Sequence, residues 1–412
     1  MKEVSDESRD VEETSLVHSL NDERKADDDV PFALEYDDGE SVLYGRGTPQ
    51  FKIKARDPEH INRLFTSDPY SLAMAFVKGD FSIEGDLVSA IRHYRNRSQR
   101  GIRYLLYAAA AHFGVGRLEA WFQSRNRAAT NIRFHYDQSN DFYKQFLDSR
   151  MVYSCGYFTE LDQDLDTAQL RKIEHICRKL AIRQDETFVD IGCGWGALVA
   201  HSAEQYRARS IGCTLSEQQF NFATRLIADR YLGERATVLL RDYRELEGPV
   251  DKIASVGMFE HVGRHRMVEY FTKLFGLLRP GGMLLNHGIM RPETCKDGPE
   301  TLFIRRKVWP GAELPSLSLV IRAAEQAGFE VLDIENLRPH YALTCRAWVR
   351  RLQENVLHCR RVVDLQTYRT WLLTLSASAA FFEEGQLTLN QVLLYKPGNP
   401  AQRPFTRDYM YV

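Results

Sequence analysis

The chain of 412 residues is 44% hydrophobic and 27% charged with a formal net charge of −2, the composition of a soluble protein of two or three domains with ample core. Seven cysteines between Cys155 and Cys359, an odd number without a C-x-x-C pair, speak against a disulfide framework or a zinc site and suit a reducing cytoplasm. The acidic N-terminus and the shortness of every apolar run, measured against the roughly 20 residues that cross a bilayer, speak against secretion and a membrane span.

Charge is unevenly spread. Residues 1–40 carry 15 acidic and 4 basic side chains, which leaves 41 acids and 50 bases, net +9, for the rest. Residues 1–30 form an acid-rich, aromatic-free leader expected to stay disordered. Residues 31–130 read as a separate, smaller and mostly helical domain. It has strand-like pieces at 41–43 and 51–53, helices near 58–65 and 71–76, and a turn over 79–85 feeding a helix over 86–94. Between Arg92 and Arg133 stand nine arginines and one acid, Glu119, interleaved with Tyr104, Tyr107, Phe113, Trp121 and Phe122. Such a face can meet an anionic membrane, nucleic acid or only water. Arginines near an anionic leaflet contribute about 1 kcal/mol each, and no nucleic-acid motif is present, so a membrane-associating domain is the expectation.

Residues 131–412 read as one α/β domain. Strands are expected near 186–191, 209–213, 236–240, 252–257 and 282–289, each followed by helical periodicity, as in a doubly wound Rossmann-like sheet. Arg279-Pro-Gly-Gly-Met283 reads as the turn into the fifth strand, residues 290–385 as an inserted cap of strand and helices, and Gln391–Tyr395 as a closing strand. The first strand runs into Gly192-Cys-Gly194-Trp-Gly196, a turn that lets the backbone approach a ligand, with Asp190 at the strand's carboxyl end. By itself this turn leaves methyl-donor, nicotinamide and flavin cofactors open. A nicotinamide site wants an acid about 20 residues on to hold the ribose hydroxyls, and Thr214 stands there. Ser216 reads as a helix N-cap.

The segment Gly212-Cys-Thr-Leu-Ser-Glu-Gln-Gln219 resembles the G-x-T-L-S-x-x-Q stretch of cyclopropane fatty acid synthases. Further segments follow in that family's order over about residues 131–397: His135–Tyr143, Met151–Phe158, the glycine turn, Asp242–Arg244, Ser255–Gly263, His287, Leu314-Pro-Ser316 and His340-Tyr-Ala342. Residues 31–130 look like the extra domain of longer bacterial members. The resemblance implies a class I S-adenosylmethionine-dependent methyltransferase with a helical cap and no metal. It assigns Tyr153 and Ser154 to the methionine end of the cofactor, with the turn around Asp190, Gly192 and Gly194. Thr214, Leu215 and Gln219 go to the ribose side, and Asp242 and Tyr243 to the adenine.

The same resemblance implies a bicarbonate base held by Cys155, Glu260, His287 and Tyr341. Bicarbonate carries a hydroxyl, so Glu260 can accept that hydrogen while His287 and Tyr341 donate. Without the resemblance, Cys155 reads as a small buried apolar residue, and His287 and Tyr341 equally as structural side chains. Glu260 follows directly on a strand's apolar end, where an unpaired carboxylate is costly, and points to function on physical grounds. Tyr157, Phe158, Phe303 and Trp309 are either walls of an acyl tunnel or core. Departures from the family pattern fall at Leu285-Asn-His-Gly-Ile289, Arg306–Ala312 and Ser376–Ala380, which leaves the shape of the acyl site open.

The expected activity is methylenation of cis double bonds in phospholipid acyl chains to cyclopropanes, by a cytoplasmic enzyme held peripherally on the inner face of the membrane. The alternative is C-methylation or methylenation in the middle of an unsaturated acyl group without ring closure; a lipid-binding protein without activity and a nicotinamide oxidoreductase stand further off. A homodimer is left open.

Overall fold

The computed structural model describes residues 30–98, 139–295, 303–304, 307–308, 313–399 and 403–411, and the chain divides into two units, residues 1–106 and 107–412. The acidic leader, the arginine-rich stretch beyond Ser98, His135–Gln138 and Trp309 lie outside the described residues.

The first unit comprises β1 (Phe32–Tyr36), β2 (Ser41–Tyr44), β3 (Phe51–Ala55), α1 (Pro58–Thr66), α2 (Pro69–Lys78), β4 (Ser82–Gly85) and α3 (Leu87–Ser98). The sheet order is β2-β1-β3-β4, with β1 parallel to β3 and the other pairs antiparallel. Two Asp-Pro pairs start helices. Asp57 accepts from His60 N at 2.7 Å and Asp68 from Tyr70 N and Ser71 N at 3.0 Å, while the prolines occupy the first turn, where no N–H is needed. Phe32 stacks on Phe51 at 5.2 Å and on Tyr44 at 4.9 Å, with His93 of α3 tilted against it. The three helices hold more of this unit's described residues than its four strands, which pair into one small sheet. β1 is nearly continuously buried and carries no period-2 signal, and β4 is short enough to read as a turn.

The second unit runs α4 (Asn140–Tyr143), α5 (Leu165–Lys179), β5 (Thr187–Ile191), α6 (Ala197–Gln205), β6 (Arg209–Thr214), α7 (Glu217–Asp229), β7 (Ala236–Leu240), β8 (Val250–Val256), α8 (Met267–Leu277) and β9 (Leu278–Met290). It continues with α9 (Leu317–Gln326), β10 (Glu330–Asn336), α10 (Arg338–Glu354), α11 (Val356–Val362), α12 (Leu365–Glu383) and β11 (Thr388–Tyr395). The seven strands lie in the order β10-β11-β9-β8-β5-β6-β7. β7, β6, β5, β8 and β9 are parallel, and β11 runs antiparallel between β9 and β10. Strand order reverses at β5, whose neighbours are β6 and β8, so ligand binding is expected beyond its carboxyl end.

β9 begins earlier than the sequence suggested. Arg279–Met283 belongs to the strand instead of preceding it, because the register jumps between Val250–Leu278 and Lys252–Met283, and Gly281 N and Gly282 O bond to Lys396 at 2.8 and 2.9 Å. Within 290–385, α9 and β10 join the sheet layers. Val320, Ala323 and Ala324 of α9 share a core with Tyr270, Phe271 and Leu274 of α8, and β10 forms the sheet edge. The helical cover is thus α10–α12. On the other face, Ile173, Ile176 and Cys177 of α5 pack against Phe188 and Leu285. Each buried aliphatic or aromatic side chain stabilises the fold by about 1.5–3 kcal/mol. The buried Lys179 at the end of α5 bridges Asp333 at 3.0 Å and Glu335 at 2.6 Å on β10, and the two carboxylates offset the cost of its desolvation. No helix among the described residues is long and apolar enough to cross a membrane.

Candidate active site

At the carboxyl end of β5 the backbone turns through Gly192–Gly196 into α6 with Gly192 and Gly194 at φ 75° and 54°. Gly192 N and Cys193 N both donate to Cys213 O at 3.0 Å, closing the turn onto β6. A Cβ on Gly192 would stand 2.8 Å from the Met258 side chain, whereas the space beside Gly194 is open. Left-handed backbone and close approach both require glycine here. Asp190 sits one step before the turn, buried, with Oδ1 lacking a partner. Burial pushes its carboxyl up to about 7, with the Lys172 charge opposing.

All ten residues expected to hold a cofactor line one cavity: Tyr153, Ser154, Asp190, Gly192, Gly194, Thr214, Leu215, Gln219, Asp242 and Tyr243. Thr214 Oγ1 donates to Gln219 Oε1 at 2.7 Å, and Ser216 caps α7 by accepting from Gln219 N at 3.4 Å. Ser216 therefore orients the residues on either side of it. Asp242 Oδ1 accepts from Arg244 N at 2.9 Å and Nε at 2.8 Å. Burial raises the Tyr243 hydroxyl to about 12. An unpartnered carboxylate oxygen beside an open glycine backbone suits an ammonium group, and the amide and hydroxyl at Gln219 and Thr214 suit a sugar. The donor set therefore fits a nucleoside joined to an amino acid.

A second cavity shares Tyr153, Gly257 and His261 with the first. Its walls are chiefly apolar, with Ile289, Leu314, Trp348, Leu375, Phe381 and Phe382 among them, and Glu260 and Tyr341 open into it. Glu260 lies in the single turn Phe259–His261 that follows β8. Its Oε1 accepts from Ile289 N at 2.8 Å and its Oε2 is buried without a partner. Burial pushes this carboxyl up to about 7. Tyr341, on the first turn of α10, packs on Phe382 at 4.6 Å, and burial raises its hydroxyl. Tyr153 itself is seated among Trp348 at 5.1 Å, Tyr143 at 5.6 Å and Trp371 at 5.8 Å.

Cys155 and His287 do not line either cavity; both are buried behind the walls. Cys155 Sγ donates to Gly156 O at 3.2 Å, and burial keeps the thiol protonated. His287 Nδ1 faces Gln391 Nε2 at 3.2 Å, and its Nε2 has no partner. With the amide donating, the ring proton sits on Nε2, and desolvation keeps the imidazole neutral. The next residue, Gly288, is a slot: a Cβ there would lie 1.9 Å from the Phe259 ring and 3.1 Å from Glu260 Oε1. Glycine at this strand position admits Phe259 and so sets the turn that carries Glu260.

Of the expected tunnel walls, Tyr157, Phe158 and Phe303 do not line the second cavity. Gly156 N donates to Thr344 Oγ1 at 2.9 Å and Phe158 N to His340 Nδ1 at 3.0 Å. This ties the 155–158 backbone to α10 and turns Tyr157 onto His340 at 4.9 Å and His175 at 4.5 Å. The cavities also contain residues that sequence reasoning passed over: Lys172, His261 and Trp195, whose Nε1 donates to Asn140 Oδ1 at 2.8 Å. Lys172 had a signal, since Gln169, Lys172 and Lys179 are polar residues at helical spacing on the inward face of α5.

A doubly wound sheet of this order, with a glycine turn at its switch point and a cavity fitted to a nucleoside amino acid, defines a class I S-adenosylmethionine-dependent methyltransferase. The chain belongs to the mycolic acid cyclopropane synthetase family, whose model matches residues 123–392. Residues 23–102 match a domain of unknown function, DUF7884. A Pseudomonas putida protein named "Probable fatty acid methyltransferase" is 37% identical over 392 residues, covering 93% of this chain and 96% of that one. Cyclopropane mycolic acid synthase 1 of Mycobacterium tuberculosis is 34% identical over 277 residues, 65% of this chain and 96% of that one. Among solved structures, the cyclopropane synthase MmaA2 from Mycobacterium tuberculosis has a TM-score of 0.63 at 31% identity, over 65% of this chain and 98% of that one. The mycolic acid cyclopropane synthase CmaA1 complexed with SAH and CTAB has a TM-score of 0.61 at 34% identity, with the same coverage.

Proposed function

We propose that this protein transfers the methyl group of S-adenosylmethionine to cis double bonds of phospholipid acyl chains and closes them to cyclopropanes, with bound bicarbonate as the base. The observation that carries this reading is the apolar cavity joined to the cofactor cavity at Tyr153, Gly257 and His261, with the unpartnered Glu260 Oε2 in its wall. Relatives named for cyclopropane mycolic acid synthesis and fatty acid methylation support a lipid substrate.

When bound, the cofactor supplies a sulfonium methyl, which the π electrons of the alkene take as the C–S bond breaks. The positive charge then rests on the acyl group. The ring of Tyr153, at the junction of the two cavities, faces that charge and stabilises it by roughly 0.5–2 kcal/mol. The apolar walls exclude water that would otherwise quench it. Ring closure requires one proton to leave the new methyl carbon, whose C–H electrons form the second ring bond. Glu260 Oε2, as carboxylate, would accept the hydroxyl hydrogen of the base, and the Tyr341 hydroxyl in the same cavity wall would donate to it, with Cys155 and His287 buried behind that wall. The unpartnered Glu260 Oε2 beside the Tyr341 hydroxyl suits a small anion carrying one hydroxyl. Glu260→Gln removes the acceptor, and the expected result is a 10²–10⁴-fold loss of turnover with S-adenosylhomocysteine affinity kept within a few-fold, read by methyl-transfer assay and calorimetry. Unchanged turnover overturns the role of Glu260.

The arginine-rich stretch supports attachment to an anionic inner leaflet. The name of the Pseudomonas putida relative favours the second reading, methylation or methylenation without ring closure. In it the same cation either loses a neighbouring chain proton to leave a methyl-branched alkene, or undergoes a hydride shift onto the charged carbon and then loses a methyl proton to leave a methylene.

A further inference from the structure

We propose that Lys172 is the anion anchor of the cofactor cavity, its ammonium receiving the carboxylate at the amino-acid end of the cofactor; this rests on the reading of that cavity as an S-adenosylmethionine site. Lys172 is 3% exposed on the inward face of α5 and forms part of the cavity wall. Its Nζ donates to Ser154 Oγ at 2.9 Å. An ammonium has three donors, and among the described residues no carboxylate forms an ion pair with this one. The two acids whose charge acts on it are Asp148 and Asp190. Asp148 is engaged by Val152 N at 2.7 Å and Arg150 N at 3.1 Å, and Asp190 keeps Oδ1 unpartnered toward the same cavity.

Lys179, two turns further along the helix, shows what this fold does with a buried ammonium that serves structure alone, for it is held between Asp333 and Glu335. Lys172 has a neutral hydroxyl in their place and opens onto a ligand cavity. A buried cation with so little compensation is costly unless an anion joins it, and burial accordingly pulls the ammonium down to about 8. Lys172 and Asp190 thus present one positive and one negative group to the same volume, which is the complement of a zwitterionic amino acid. Ser154 fixes where the positive member points.

The full-length protein and its Lys172→Met variant, each checked for folding by thermal melting, are titrated calorimetrically with S-adenosylhomocysteine and with 5′-methylthioadenosine. The second ligand keeps the nucleoside thioether and lacks the amino-acid end. The expected result is at least about a tenfold loss of affinity for S-adenosylhomocysteine, no change for 5′-methylthioadenosine, and partial recovery in Lys172→Arg. Equal losses for both ligands, or no loss for either, overturn the anchor. If Lys172→Met does not fold, Ser154→Ala, which frees the ammonium, is expected to weaken S-adenosylhomocysteine alone, and equal weakening of both ligands overturns the proposal. A wild-type protein that binds neither ligand removes the cofactor reading itself, a result distinct from failure of the anchor.

Discussion

Two carboxyls define the site at the scale of single residues. Glu260 and Asp190 are both buried, and burial pushes each up to about 7. A folded-state pKa above the unfolded one means that the folded protein prefers the protonated form. Stability from these groups is therefore full below the ordinary carboxylate range and is lost as pH rises through about 7. Ionising Glu260 in the ligand-free protein costs on the order of 3 kcal/mol. Urea unfolding from pH 5 to pH 8 is expected to show Glu260→Gln growing more stable than wild type as pH rises, the two converging toward pH 5. The buried His287 and His261 lose stability in the opposite direction, as pH falls, and do so in both proteins. Parallel curves would contradict a neutral resting Glu260. Most of the site was legible at this scale because its residues belong to short contiguous segments: a glycine turn, a Thr-Leu-Ser strand end, an Asp-Tyr pair. Lys172 was passed over despite its helical spacing with Gln169 and Lys179, since a lysine on a helix reads as a solvated side chain until the helix is docked.

At the scale of elements, the turn after β8 and the middle of β9 form a matched pair. Phe259 fills the space that a side chain at Gly288 would take, and Ile289 N holds Glu260. Gly288→Thr must push the ring out, so an overpacking cost of about 1–3 kcal/mol is expected in urea unfolding, together with at least about a tenfold fall in turnover as Glu260 leaves its place. Native stability with native turnover would refute the pairing. The Ser216 cap of α7 was visible in the sequence because capping is local chemistry, whereas the Asp68-Pro69 start of α2 was passed over in favour of a start at 71. The start of β9 and the walls of the second cavity were not visible. The first depends on a register jump against β8, and the second on hydrogen bonds from residues 155–158 to α10. Both are contacts between segments far apart in sequence.

For the whole molecule, composition separated an acidic leader from a basic remainder, and the periodicity of five strands sufficed for a doubly wound sheet. The order β10-β11-β9 at its far edge needed the structure, because an antiparallel strand entering last leaves no mark on local pattern. If the arginines between Arg92 and Arg133 attach the enzyme to anionic lipid, co-sedimentation with anionic vesicles is expected to fall steeply as salt rises from about 0.05 to 0.5 M, and neutral vesicles are expected to recruit little. Salt-independent binding would assign attachment to apolar contacts instead. Catalysis on lipid is tested most directly by proton NMR and mass spectrometry of acyl chains recovered from cis-monounsaturated phospholipid vesicles incubated with the full-length protein, S-adenosylmethionine and bicarbonate. Ring closure predicts one CH2 gained per modified double bond with high-field cyclopropane protons, both lost in Glu260→Gln. The same gain with vinylidene or methyl-branch signals would contradict ring closure, and acyl groups returned unchanged would contradict an acyl substrate altogether.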